Sequence, residues 1–132
     1  MKADRKEIIF TEKATKPTAW YSQAVKAGDF VFFAGVCGDD PVTGEIMGKG
    51  DIRTETRYAM ENLKNTAIAA GISMEDIVKV TVCVKDISMM REFNQVYPEY
   101  FPGDPPARIA LAVKDLGGGA NLELDAMGIV RK

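Results

Sequence analysis

Apolar residues near the start of the chain occur in short runs of strand length. Residues 7–10 and 22–25 each carry such a run. Residues 30–34 form a continuous apolar segment rich in aromatic and β-branched side chains, as is typical of a buried strand. The turn-forming sequence at residues 39–44 follows. These patterns predict two or three short strands before residue 50.

The next segment has the period of a helix. Asp51 and Thr54 are suited to begin it, and Gly71 is suited to end it, because glycine adopts the left-handed conformation readily. Glu61 and Asn62 lie outside its apolar face. Residues spaced three and four apart form that face: Ala59, Met60, Leu63, Ala67 and Ala70.

A strand and a second, shorter helix follow. Residues 77–85 alternate, with valines at 78, 80, 82 and 84 on one face and Lys79, Thr81, Cys83 and Lys85 on the other. Ser88 is suited to cap a helix whose apolar side has Met89, Phe93, Val96 and Tyr97. Pro98 predicts a kink or an end to this helix.

Two further alternating strands close the chain. Residues 107–113 place Arg108, Ala110 and Ala112 on one face and larger aliphatic residues on the other. Residues 121–130 place Leu122, Leu124 and Ala126 opposite Glu123, Asp125, Met127 and Ile129. The glycines at 117–119 predict a hairpin between these strands.

The predicted fold is therefore α+β, a single two-layer domain over residues 1–132 in which two helices cover one face of a mixed sheet. The aliphatic faces of the last three strands are expected against the helices. The opposite face combines apolar residues with Arg108, Glu123 and Asp125, and such a mixed face predicts association with other subunits.

Composition narrows the possible functions. The net charge of −2 does not favour nucleic acid as a partner. No apolar run reaches membrane-spanning length, and the first ten residues lack the apolar core of a secretory signal, so a cytoplasmic protein is expected. The chain has no histidine, and Cys37 and Cys83 lack zinc-type spacing. Acid–base chemistry therefore falls to carboxylates, tyrosine, lysine or water, and no metal is expected.

Arg108 is the first candidate for ligand binding. It follows Pro105-Pro106-Ala107, and the small side chains on its face leave room for a ligand. Its guanidinium suits a carboxylate held through two hydrogen bonds. The alternative is a structural ion pair with Glu123 or Asp125.

Glu123 and Asp125 form the second candidate group, since paired carboxylates can divide acid and base roles. The alternative is a solvated strand face. In a hairpin, Glu123 would lie near Ala112 and roughly 13 Å from Arg108, so the two could share a small substrate only across a subunit interface. Tyr21 could donate to a carboxylate or orient water, or could cover the edge of the core.

The chain resembles the RidA/YjgF family of enamine and imine deaminases over nearly its whole length, from about residue 21 to residue 130. No single motif is decisive, but the ordered set is specific. The matching segments are Tyr21-Ser22-Gln23-Ala24-Val25, Gly35, Pro41-Val42-Thr43-Gly44-Glu45, Asn62-Leu63-Lys64, Ala70-Gly71, Asp76-Ile77-Val78-Lys79, Val84-Lys85-Asp86, Phe93-Asn94, Tyr97, Tyr100-Phe101, Pro106-Ala107-Arg108 and Leu122-Glu123-Leu124-Asp125-Ala126.

This resemblance implies a chorismate-mutase-like fold, a homotrimer with sites between subunits, and hydrolysis of 2-iminopropanoate and 2-iminobutanoate to 2-oxo acids and ammonia without a cofactor. It implies that Arg108 binds the substrate carboxylate and that Glu123 positions the attacking water. Tyr21, Gly35, Asn94 and Ala110 match further pocket positions.

Several positions depart from the family pattern. Ala34 replaces a common serine, Ala110 replaces a common cysteine, and Ala19-Trp20 replaces the usual Gly-Pro. Ala110 argues against an essential thiol at that position. The large Trp20 keeps open a deaminase for a larger, aminomuconate-like enamine. A non-catalytic ligand-binding or regulatory trimer is a further alternative.

Overall fold

The computed structural model describes residues 5–132. Within them, seven strands form one mixed sheet, and two α-helices pack against it. The elements are β1 (Glu7–Ile9), β2 (Ala24–Ala27), β3 (Phe30–Phe33), β4 (Val36–Cys37), α1 (Ile52–Ala69), β5 (Ile77–Val84), α2 (Met90–Val96), β6 (Ala107–Ala112) and β7 (Leu122–Ile129). The predicted α+β architecture is confirmed, and β4 is a strand that the sequence pattern did not reveal.

The order of strands is β1-β2-β3-β7-β5-β6, with β4 also paired to β7. The last strand therefore lies in the middle of the sheet, antiparallel to β3, β4 and β5. Strand β6 is an edge strand that runs parallel to β5. The predicted hairpin between the last two strands is wrong, because α2 connects two parallel neighbours as a crossover, and the segment after β6 then passes β5.

The two helices cover the face of the sheet that carries the aliphatic residues of β5 and β7, as predicted. Val80, Val82 and Val84 are fully buried there, with Leu122 and Leu124 from the central strand. A bulge after Ile77 interrupts the pairing of β5 with β7, and Val78, the first valine of the predicted face, is 40% exposed. We call this side of the sheet the helix face and the other side the outer face.

Strand β6 contradicts the prediction for its faces. Its Arg108 is paired with Val80 and its Ala110 with Val82, so these residues point to the helix face. Its larger Ile109 points to the outer face and is 51% exposed. The reason is space: the aromatic rings of Phe93 in α2 and of Tyr97 directly after it occupy the helix layer beside this edge strand, and only small or flexible residues fit there.

Helix α1 begins and ends as the sequence predicts. The Asp51 side chain accepts hydrogen bonds from the backbone amides of Arg53 and Thr54, and Gly71 adopts a φ of 81° just beyond the end. The second helix begins differently, because Asp86 rather than Ser88 supplies the capping carboxylate for the turn that precedes α2. No helix among residues 5–132 is long and apolar enough to cross a membrane.

Polar residues of α1 attach the helix to the strands that form the candidate site. Asn62 was predicted to lie outside the packed face, yet it is 2% exposed and donates to the carbonyl oxygens of Cys37 and Asp39. The fully buried Glu55 accepts hydrogen bonds from the backbone and side-chain nitrogens of Asn121, directly before β7. These bonds fix the start of β7 and the segment after β4 relative to α1.

Candidate active site

An open cavity of about 390 Å³ lies where β4 pairs with β7. Three residues predicted for the site line it: Tyr21, Gly35 and Glu123. The remaining wall comes from the segment before β2, the turn after β4 and the glycines before β7, which form a short helical turn rather than a hairpin loop. These further lining residues are Thr15, Lys16, Thr18, Cys37, Asp39, Pro41, Val42, Thr43, Gly44, Ile46, Gly117 and Gly118.

Glu123 lies on the outer face of β7, where it is paired with Cys37 of β4 on one side and with Cys83 of β5 on the other. Its side chain is half-buried. Burial, and then the negative charge of Asp125 two residues further along the strand, raise the pKa of the Glu123 carboxyl. A carboxylate with a raised pKa beside an open cavity is suited to accept a proton from water near neutral pH.

Gly35 packs directly against this carboxylate. A Cβ atom at residue 35 would overlap Oε2 of Glu123 and lie 3.0 Å from its Cδ. The φ of Gly35 is not in the left-handed region, so the requirement for glycine at this position is one of space rather than backbone conformation. The absence of a side chain at residue 35 therefore permits the observed position of the Glu123 carboxylate.

Tyr21 contributes a phenol to the cavity and is 47% exposed. Its oxygen accepts a hydrogen bond of 3.3 Å from the backbone amide of Thr18. Because the phenol oxygen accepts this bond, its own hydrogen stays available for a ligand. The neighbouring Trp20 is fully exposed and does not line the cavity.

The two cysteines beside Glu123 are free thiols that are partly rather than fully buried. Burial, followed by the charges of Glu123 and Asp39, raises the pKa of Cys37 to about 12. Burial and the charge of Glu123 also raise the pKa of Cys83. Both thiols are therefore neutral at physiological pH, a state that disfavours a nucleophilic role.

Arg108 lies on the exposed edge strand β6, away from this cavity. Its guanidinium donates to Oδ1 of Asn94 at 2.9 Å and lies 4.8 Å from the ring centre of Tyr97 and 5.9 Å from that of Phe93. It forms no salt bridge with any residue in the range 5–132, which excludes the predicted alternative of an ion pair with Glu123 or Asp125 there. Ala110 follows on the same face and is half-buried against the core.

The predicted site residues therefore form two groups within one chain: Tyr21, Gly35 and Glu123 at the cavity, and Arg108, Asn94 and Ala110 at the sheet edge. Leu111 and Glu123 both pair with Cys83, so they are two strand spacings apart. Arg108 is three residues from Leu111, which gives roughly 14 Å between the Arg108 and Glu123 backbones. The two side chains also point to opposite faces, whereas the sequence placed them on the same face.

Sequence reasoning missed the polar residues behind the cavity. Asp39 is 7% exposed and accepts hydrogen bonds from Thr15 and Asn62. Lys16 donates to the carbonyl oxygens of Glu12 and Pro41 at 2.7 Å each. Asn62 lies outside the apolar stripe of α1, so the helical pattern gave no signal of these contacts. Among residues 5–132, no group of three or more side chains is arranged to hold a metal ion.

Comparison with known proteins shows the family of this chain. The model of the family described as endoribonuclease L-PSP matches residues 11–130. A RutC family protein of Pyrococcus horikoshii is 49% identical over 122 residues, which are 92% of this chain and 96% of that protein. The rat 2-iminobutanoate/2-iminopropanoate deaminase is 34% identical over 94% of this chain and 90% of its own.

Solved structures agree with the sequence comparisons. The crystal structure of Escherichia coli TdcF with bound serine superposes with a TM-score of 0.89 and 33% identity, covering 95% of this chain and 99% of that chain. The fold is thus that of a single-domain α+β protein of the L-PSP type. The chain belongs to the RidA/YjgF family.

Proposed function

We propose that this protein hydrolyses 2-imino acids, and the enamines that tautomerise to them, to 2-oxo acids and ammonia. Water adds to the imine carbon, the nitrogen gains a proton, and the carbon–nitrogen bond then breaks to release ammonia and leave the 2-oxo group. The proposed substrates are 2-iminopropanoate and 2-iminobutanoate. No step requires a metal or an organic cofactor.

The observation that carries this proposal is the position of Glu123. Its half-buried carboxylate has a raised pKa and contacts an open cavity, where the missing side chain of Gly35 leaves room for it. In the proposed mechanism, Glu123 orients the water and accepts its proton, which it then returns to the nitrogen. Tyr21, which lines the same cavity, donates a hydrogen bond to the substrate.

Arg108 supplies the second half of the proposed site, from a neighbouring subunit. It carries an unpaired positive charge among residues 5–132 and is held in place by Asn94. A guanidinium in this state suits the carboxylate of an imino acid. Since Arg108 and Glu123 are too far apart within one chain, the substrate would lie between two subunits, with Ala110 at the edge of the same wall.

The outer face of the sheet is the proposed subunit contact. Its exposed apolar residues lie beside one another on β3 and β7, with a further one on β6 beyond β5, and apolar patches mark association surfaces. These residues are Phe30, Phe32, Met127, Ile129 and Ile109. We propose a homotrimer, which light scattering coupled to size-exclusion chromatography would test.

The relatives support this activity. The rat protein named a 2-iminobutanoate/2-iminopropanoate deaminase and the structure of TdcF with bound serine both connect the family to small amino-acid-like molecules. RNA cleavage, which the description of the family names, is not proposed, because the chain has no histidine and a net charge of −2.

The test is formation of 2-oxo acids from 2-aminoacrylate or 2-aminocrotonate that a dehydratase generates in the assay. The wild-type protein is expected to accelerate this step, and Arg108→Ala is expected to abolish the acceleration. Arg91→Ala, which removes an exposed arginine from α2, is the control and should behave as wild type. If the folded wild-type protein does not accelerate hydrolysis, the proposal for these small substrates is wrong, and hydrolysis of larger enamines or ligand binding without turnover replaces it.

A further inference from the structure

The wall of the cavity beyond Glu123 contains a carboxylate that the proposed mechanism does not use. Asp39 is 7% exposed, and both hydrogen bonds that it receives from the described residues, from Thr15 at 2.7 Å and from Asn62 at 3.0 Å, end on Oδ1. Its Oδ2 has no donor among residues 5–132 and is not enclosed in the core. Because Asp39 lines the cavity, Oδ2 is the atom that a ligand there would meet.

A carboxylate that is largely removed from water is costly unless its oxygens accept hydrogen bonds. The structure satisfies one oxygen of Asp39 twice and leaves the other without a donor among residues 5–132, in a residue that lines the cavity. We propose that Asp39 Oδ2 binds a hydrogen-bond donor at the end of the substrate side chain, so that the preferred substrates are 2-imino acids with a long side chain that ends in a carboxamide or a cationic group. This inference rests on the proposed function and names its substrate class.

The distance between Glu123 and Asp39 sets the length of the substrate side chain. Cys37 is paired with Glu123, and Asp39 lies two residues beyond Cys37, or roughly 6.6 Å at the usual rise of a strand. An imine carbon held at Glu123 would thus reach Asp39 only through a side chain as long as that of glutamine or arginine. The methyl group of 2-iminopropanoate would leave most of the 390 Å³ cavity empty.

The charges around the cavity favour a donor over an acceptor. Two carboxylates, Asp39 and Glu123, lie close enough to Cys37 that both raise its pKa. Among residues 5–132, Lys16 is the one cationic residue that lines the cavity, and it forms no salt bridge with Asp39, since backbone carbonyl oxygens hold its ammonium group. A hydrogen bond from a cationic donor to Asp39 would be stronger than one from a neutral donor.

The experiment compares imino acids of matched shape, generated in the assay by an amino-acid oxidase. Glutamine against methionine compares a donor with an apolar side chain of similar size. Arginine against citrulline compares a cationic donor with a neutral one. The residual imine, measured by chemical trapping, gives kcat/KM for each substrate, and wild type should favour donor-bearing substrates over their apolar partners by about tenfold or more.

Asp39→Asn is the matched variant. It keeps an acceptor for Thr15 and Asn62 but replaces Oδ2 with an amide NH2, so the preference for glutamine-derived over methionine-derived imine should fall by about tenfold. Asp40→Asn is the control, because Asp40 does not line the cavity and an asparagine side chain can still accept from the amides of Val42 and Thr43. Its substrate preference should equal that of wild type.

The outcomes separate this inference from the proposed function. Wild-type hydrolysis of 2-iminobutanoate with no preference for donor-bearing substrates would overturn the role of Asp39 and leave the deaminase proposal intact. This comparison needs no variant, so it decides the matter even if Asp39→Asn fails to fold. If no imine is hydrolysed faster than in buffer, both proposals are wrong. A preference for arginine over citrulline would identify the cationic donors as the favoured subclass.

Discussion

Gly35→Ala tests whether the space beside Glu123 is needed for activity. The added Cβ would overlap Oε2 of Glu123, and an ordinary contact requires at least 3.4 Å, so the carboxylate must retreat by about 1 Å or more. A displacement of about 1 Å in a group that positions a reactant can lower the rate about 100-fold. We expect kcat/KM for 2-iminobutanoate to fall by about this factor. The melting temperature should change little, because the backbone at residue 35 is accessible to alanine.

Two further variants test this prediction more strictly. Gly103→Ala is the matched control, since a Cβ at that position meets no atom within 4 Å, and its activity should equal that of wild type. Adding Gly35→Ala to Glu123→Gln should cause little further loss, because both changes act on the same carboxylate. Wild-type activity in Gly35→Ala would refute the reasoning, as would a full 100-fold loss in the Glu123→Gln background.

Three more predictions concern charge, a buried hydroxyl and an exposed ring. Asp125→Asn removes a charge that raises the pKa of Glu123, so the acidic limb of the kcat/KM profile should move to lower pH; an unmoved limb would exclude Glu123 as the titrating group. Tyr97→Phe removes a buried hydroxyl that has no partner among residues 5–132. A denaturant titration should show the free energy of unfolding raised by up to about 1–3 kcal/mol, whereas a lower value would mean that the hydroxyl has a partner in the assembled protein. Trp20→Ala should change that free energy by less than about 0.5 kcal/mol, because the ring is fully exposed; a larger loss would mean that the assembled protein covers it.

The sequence predicted the individual helices and strands of this fold better than it predicted which strands lie beside one another. The strong periodicity of α1 and of β5 predicted their secondary structure correctly, because each pattern depends on the burial of one face. The position of β7 between β3 and β5 depends on pairing partners far apart in sequence, and alternation alone does not specify them. The link through residues 117–119 is compatible with a hairpin, but the crossover through α2 makes β6 the parallel neighbour of β5.

The sequence singled out candidate site residues but did not predict how the structure arranges them. Alternation identified Arg108 and Glu123 as polar residues among apolar neighbours, and the phenol made Tyr21 a candidate. Resemblance to the family added Gly35, Asn94 and Ala110. Their faces were assigned by assuming that larger aliphatic residues point toward the helices. This assumption failed for β6, where Ile109 belongs to an apolar outer face, a surface that one chain in isolation has no reason to bury.

Asp39 was missed for a different reason. It lies in a segment rich in turn-forming residues, where an aspartate is expected for its local hydrogen bonds. Its burial depends on Asn62 of α1 and on Thr15 from the segment before β2. Contacts among three distant segments leave no periodic signal in the sequence.

Subunit complementation tests the central claim, that the active site combines Glu123 of one subunit with Arg108 of another. Arg108→Ala and Glu123→Gln proteins, each inactive alone, are mixed in equal amounts, unfolded together and refolded so that subunits assort randomly. A shared site receives a wild-type residue from each side in about one quarter of cases, so about one quarter of wild-type activity should return. If the mixed assemblies form but stay inactive, each site lies within one subunit and the account is wrong.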